Sequence, residues 1–188
     1  MSDASAWLDE WSAAFPTNKY PPLDHLLERA DSLTAAEFEY LGRWKDSALE
    51  SDKRWQPNKA SVAFVTWMEA AKELPGAQIE NVHSFLTEWS GRAYRDRFPS
   101  RTVLKRFGVP RATTLLHLMS GGKYPIFDAR VRLAFKRLTG QPPGKSVEWY
   151  LSSYVPFFAQ VASECRAANM KKVDNALFVY GRKKSYFG

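Results

Sequence analysis

Nowhere in the 188 residues does an alternating β-branched run lead into a hairpin turn, whereas apolar residues recur at helical spacing between prolines and glycines. That pattern restricts the chain to an all-α fold. A helix is expected from Ala4 to Phe15, ended by Pro16, and a second from Leu23 to Ala30 behind Pro21-Pro22. Thr34 and Glu37 form a capping box that opens a helix to about Leu49, with Phe38, Leu41 and Trp44 facing inward. Asn58 caps a helix through Glu73 that Pro75-Gly76 stops. Ile79 to Tyr94 reads as amphipathic, with Val82, Phe85, Leu86 and Trp89 on one face. Ser100 caps a short helix, Arg101 to Phe107, and Gly108 suits the left-handed position that ends it. Val109-Pro110 turns the chain into a helix from Arg111 to Met119, ended by Gly121-Gly122, so the local order is helix, tight hairpin, helix.

Lys123 to Phe127 forms an extended link, and Asp128 starts a helix from Ala129 to Leu138, closed by Gly140 and Pro142-Pro143. Ser146 opens a final helical region kinked at Pro156, and a last short helix precedes the tail Gly181-Arg182-Lys183-Lys184. The expected architecture is a helical bundle of two packed lobes forming a single domain over 1–188, with the helix–hairpin–helix at about 101–120. Hydrophobic residues make up 45% and aromatic residues 14%, enough for a sizeable core and against disorder.

Several chemistries are excluded at this level. Cys165 is the lone cysteine, so no disulfide framework and no cysteine-based zinc or iron–sulfur site can form. His25, His83 and His117 are scattered, no His-Glu-x-x-His spacing occurs, and no Walker-type glycine loop is present. No metal and no cofactor is therefore expected. Met1 to Glu10 carries acids and lacks a secretory pattern, and no stretch approaches the ~20 apolar residues of a membrane span. The expectation is a soluble, cytoplasmic, monomeric protein without a membrane partner.

Charge is distributed unevenly. Residues 1–91 hold 8 Lys+Arg against 15 Asp+Glu, a net −7, whereas residues 92–145 hold 13 against 2, a net +11. Residues 146–188 add +3 to give +7 overall. A basic middle third interleaved with helical apolar positions describes a folded polyanion-binding face, with phosphates of DNA as its expected target. The hairpin has a physical use there. The start of its second helix offers unpaired backbone N–H groups and the positive end of the helix dipole. Lys105, Arg106, Gly108, Arg111, Thr113, Lys123 and Arg130 are the candidate DNA contacts, with Arg132 adding charge. Within 92–145 the two acids are Asp96 and Asp128, and Asp128 stands among arginines at a helix start.

The run Phe107-Gly108-Val109-Pro110-Arg111-Ala112-Thr113-Thr114-Leu115-Leu116, continued by Tyr124-Pro125-Ile126-Phe127-Asp128-Ala129-Arg130-Val131-Arg132, resembles the helix–hairpin–helix DNA glycosylase superfamily. The resemblance covers roughly Arg101 to Leu138. It implies a base-excision enzyme that turns a nucleotide out of the duplex. The carboxylate matching Asp128 would stabilise positive charge developing on the sugar and position water. Bifunctional members carry a lysine where this chain has Ala112, which cannot form a Schiff base, so the resemblance implies a hydrolase without lyase activity. Lys123 as a substitute for that lysine is the weaker reading beside a linker lysine touching phosphate. Pro110 replaces the family's second hairpin glycine and removes one N–H from the phosphate-facing turn. Trp44, Lys45, Trp55, Asn58 and Tyr124 are candidates for the base pocket, because aromatic faces stack on bases. Phe127 could line the same pocket.

Three readings follow. The leading one is a monofunctional glycosylase acting on a damaged or modified base, in repair or in antiviral defence against phage carrying modified DNA. The second is a non-catalytic DNA-binding protein on the same fold, supported by Pro110 and Ala112. The third, a toxin-like RNase, lacks the clustered His/Glu or acidic metal site that such chemistry uses.

Overall fold

The computed structural model describes residues 3–16, 34, 81–91 and 108–182. Among them every regular element is helical: α1 Ala4–Ala13, α2 Val82–Gly91, α3 Gly108–Met119, α4 Ala129–Thr139, α5 Val147–Trp149, one π turn Tyr150–Tyr154, α6 Val155–Glu164 and α7 Met170–Arg182. The helices expected over 23–30, 58–73 and 101–107, and that of the Thr34 capping box beyond Thr34 itself, lie outside the described residues. No helix among the described residues is long and apolar enough to cross a membrane. Backbone contacts group the chain into two compact units, Tyr20–Gly121 and a second made of Met1–Lys19 with Gly122–Gly188.

In the first unit α2 packs on α3. Val82, Phe85, Leu86 and Trp89 are all buried, the face that their spacing predicts. The helix is described from Val82 to Gly91, and the ends expected at 79 and 94 lie outside the described residues. α3 is buried without interruption from Ala112 to Met119. Two threonines are tolerated inside because their hydroxyls donate back into the helix, Thr113 Oγ1 to the Val109 carbonyl at 2.9 Å and Thr114 Oγ1 to the Pro110 carbonyl at 2.7 Å. Only the beginning of this helix reaches the surface, with Pro110 exposed and Arg111 half-buried.

In the second unit α7 packs against α4, α1 and α6. Trp7 and Trp11 of α1 meet Tyr180 of α7 edge-on at 5.7 and 4.9 Å, and Phe15 lies 5.5 Å from Phe178. Lys172 pairs with Asp9 on the outside of the same contact. The sequence pattern could not reveal this pairing of the two ends of the chain. α4 starts at Asp128, as expected, and stops at Gly140, whose amide donates to the Lys136 carbonyl at 2.9 Å.

Two expectations are corrected. α1 stops at Ala13 rather than Phe15. The irregularity assigned to Pro156 occurs one turn earlier, over Tyr150–Tyr154, where the Val155 amide donates to Tyr150 five residues back. Proline lacks the N–H that would bond the carbonyl four residues before it, and its ring crowds that carbonyl, so the preceding turn widens. Pro156 itself sits in the first turn of α6, where that missing donor costs little.

α7 and α4 touch at backbone level. A Cβ added to Gly181 would lie 1.9 Å from the Arg130 carbonyl oxygen, inside any permissible contact. Gly181→Ala is therefore expected to force the two helices apart and to destabilise the fold by about 3 kcal/mol, by analogy with overpacked cores. The urea midpoint checks this, and an unchanged midpoint would contradict the close approach.

Candidate functional site

Asp128 is the carboxylate that the local sequence places most deliberately. It caps α4 from an extended backbone conformation, φ −118° and ψ −176°. Its Oδ1 accepts from the amides of Arg130 at 2.8 Å and Val131 at 3.2 Å. Its Oδ2 has no hydrogen bond among the described residues, and the residue is half-buried. One oxygen is thus committed to holding the side chain still, while the other is left to act. Capping and chemistry are compatible here because they use different oxygens.

The link before Asp128 is held from behind. Tyr150 Oη donates to the Pro125 carbonyl at 2.8 Å, and the Ile126 amide donates to Asp174 Oδ1 at 3.3 Å. Asp174 Oδ2 in turn takes Lys171 Nζ at 3.3 Å, and both side chains are at least 94% buried. Phe127 is buried among Tyr154, Tyr150 and Trp149, at ring distances of 5.0, 5.3 and 5.7 Å. The segment preceding the acid is therefore fixed by two backbone hydrogen bonds and a wall of rings.

The candidate DNA contacts fall into three groups. Lys123, Tyr124, Asp128 and Arg130 belong to one unit, with Lys123 exposed and its Nζ 5.6 Å from the Tyr124 ring centre. The Arg130 guanidinium lies 4.3 Å over Phe178, and that of Arg132 5.9 Å over Phe127, so ring faces carry two of the cations on α4. Gly108, Arg111 and Thr113 belong to the other unit. Gly108 adopts φ +76° at the first position of α3, a left-handed conformation that favours glycine. α3 thus already includes Gly108, Val109 and Pro110, ahead of the expected start at Arg111. Thr113 is corrected: it is fully buried with its hydroxyl turned into its own helix, so it belongs to packing and not to a surface. Ala112 is fully buried too. Lys105, Arg106, Trp44, Lys45, Trp55 and Asn58 lie outside the described residues. Among the described residues no group of three or more His, Cys, Asp or Glu is placed to hold a metal ion.

Sequence reasoning missed Asp174, Lys171, Tyr150 and Tyr154. A faint signal existed for the first. Asp174 stands between Val173 and the Ala176-Leu177 pair, at positions whose spacing marks a buried stripe, and Lys171 three residues earlier offers a partner.

Burial holds the Tyr150 hydroxyl well above the ordinary tyrosine range, with Asp174 and then Tyr124 adding to the effect. Tyr154 is held above it by burial first, then by Asp174, Asp128 and Tyr150. Its Oη is buried without a hydrogen-bond partner. Both phenols remain neutral in the folded state, whereas the unfolded chain ionises near pH 10. Their contribution is complete below about pH 10 and is lost as pH rises past it, because only the unfolded chain can release those protons. Tyrosinate absorbance should therefore show two late phenols that ionise only as helical circular dichroism is lost; titration of all tyrosines before unfolding would contradict this. Tyr154→Phe removes an unsatisfied buried hydroxyl and is expected to leave the melting temperature unchanged or raised.

No protein-family model matches this chain, and neither a curated protein nor a solved structure does.

Proposed function

We propose that the chain is a monofunctional DNA glycosylase, excising a damaged or modified base by hydrolysis of its N-glycosidic bond. The observation that carries this reading is Asp128: a half-buried carboxylate in the most basic stretch of the chain, one oxygen anchored by two amides and the other without a hydrogen bond among the described residues. A carboxylate so placed favours a cationic transition state. As the bond from C1′ to the base breaks, positive charge grows on the sugar, and Oδ2 stabilises it electrostatically. The bonding pair leaves with the base, which takes up a proton from solvent to depart as a neutral molecule, while water adds to C1′ and gives up one proton through the carboxylate to solvent, so that the two proton transfers balance. Ala112 provides no amine for a Schiff base, so the strand stays intact.

Binding would rest on phosphate contacts. In one unit the accessible end of α3, with Gly108 and Arg111, suits a phosphate, and in the other Lys123 and Arg130 offer positive charge of their own. The protein would act as a monomer on duplex DNA in the cytoplasm, in repair or in defence against phage with modified DNA. A second reading, a DNA-binding protein without catalysis, is favoured by Pro110, which is exposed at the start of α3 and offers no N–H there.

Asp128→Asn separates the two readings cleanly, since asparagine caps a helix about as well as aspartate but carries no charge. Excision is expected to fall at least about a hundredfold while duplex affinity and melting temperature are kept. Retained excision would sink the assignment of Asp128. Arg111→Ala is expected to weaken binding to any sequence alike and to reduce the slope of log affinity against log salt by about 1. An unchanged salt slope, read by fluorescence anisotropy, would remove Arg111 from the interface.

A further inference from the structure

We propose that Asp174 is the positioning residue for Asp128, acting through the Ile126 amide; the inference rests on the glycosylase reading of Asp128. The chain from Pro125 to Asp128 belongs to no helix or strand, and a segment outside such elements has no helical or ladder hydrogen bonds to fix it. Here two are supplied from outside. Tyr150 grips the carbonyl of Pro125, and Asp174 grips the next amide, two residues before the acid. Asp174 is 4% exposed and Lys171 5%, which is a costly place for two charges. A charged pair retained in such a position is explained when the carboxylate does a second job. Its two oxygens are divided accordingly, Oδ2 to Lys171 and Oδ1 to the Ile126 amide.

The same helix secures the far side of Asp128. Gly181, seven residues after Asp174 and so two turns along α7, meets the Arg130 carbonyl, and the Tyr180 carbonyl accepts from Arg137 at 2.6 Å. α7 therefore fixes the backbone both two residues before and two residues after the acid. Tyr154 is held neutral by burial first, and then by Asp174 and Asp128. Asp174 makes no direct hydrogen bond to Asp128. Its effect passes through the backbone between Ile126 and Asp128, and it orients the acid without touching substrate.

The hydrogen bond and the charge can be varied separately. Lys171→Met combined with Asp174→Asn removes both charges but keeps an oxygen facing the Ile126 amide. Lys171→Met combined with Asp174→Leu removes the acceptor as well. Single-turnover excision should stay within about threefold of wild type in the first variant and fall about ten- to a hundredfold in the second, with duplex affinity unchanged in both. Equal losses in the two variants, or full activity in the leucine variant, would overturn the proposal. Amide hydrogen exchange gives a readout independent of catalysis. In the leucine variant, exchange should quicken together at Ile126, Arg130 and Val131 while the middle of α7 stays protected. Faster exchange at Ile126 alone would overturn positioning even if excision were never observed. Should the leucine variant fail to fold, Asp174→Ala with Lys171→Met carries the same comparison without added bulk. Absence of excision by the wild-type protein, with coupled exchange intact, would instead count against the enzymatic reading alone.

Discussion

A buried ion pair on α7, Lys171 with Asp174, holds an amide 48 residues earlier in the chain, and much of one compact unit is arranged around that grip. Burying two charges is tolerated only when each is paired and its remaining valences are used. Asp174 meets the condition by dividing its oxygens between an ammonium and a backbone N–H. What results is a segment, Pro125-Ile126-Phe127, that is held in place although it belongs to no helix or sheet. Its side chains then complete the core, with Phe127 closing against Trp149, Tyr150 and Tyr154. Asp128 follows at the end of that segment, where the chain turns into α4.

This arrangement makes capping compatible with the chemical role proposed for Asp128. Aspartate before a helix is ordinarily explained by capping alone, and the two amides on Oδ1 fit that explanation. Capping needs only one oxygen, which leaves Oδ2 available for a second role. A preoriented carboxylate in a basic neighbourhood suits a reaction in which positive charge appears briefly on a sugar, because the stabilising group is already in place when the charge forms. The burial of α3 has a parallel consequence. With Ala112 to Met119 enclosed, that helix can offer a ligand only its first turn, which is the end carrying free amides and positive dipole.

How much of this the sequence revealed depended on whether the cause was local. Asp128 and Gly140 delimit α4 because a cap and a left-handed stop act within a few residues. The inward face of α2 follows from the spacing of Val82, Phe85, Leu86 and Trp89. Ser146 opens its helix as its type suggests, donating nothing to distant contacts and accepting from Trp149. The pairing of α1 with α7, the contact of Gly181 with Arg130 and the hold of Asp174 on Ile126 depend on residues 48 to 173 positions apart, and no local pattern encodes them. Thr113 shows the opposite failure. Its position beside basic residues suggested a phosphate contact, but the full burial of α3 turns it inward and its hydroxyl finds a carbonyl in its own helix.

The central claim is that Asp128 breaks an N-glycosidic bond. The most direct measurement incubates the wild-type protein with a panel of DNAs bearing damaged or modified bases, including phage genomic DNA. Released bases are identified by mass spectrometry and the DNA is tested for abasic sites. The account predicts at least one free base, a matching abasic site and an uncut strand. Salt-sensitive binding across the whole panel with no base released from any member would contradict it.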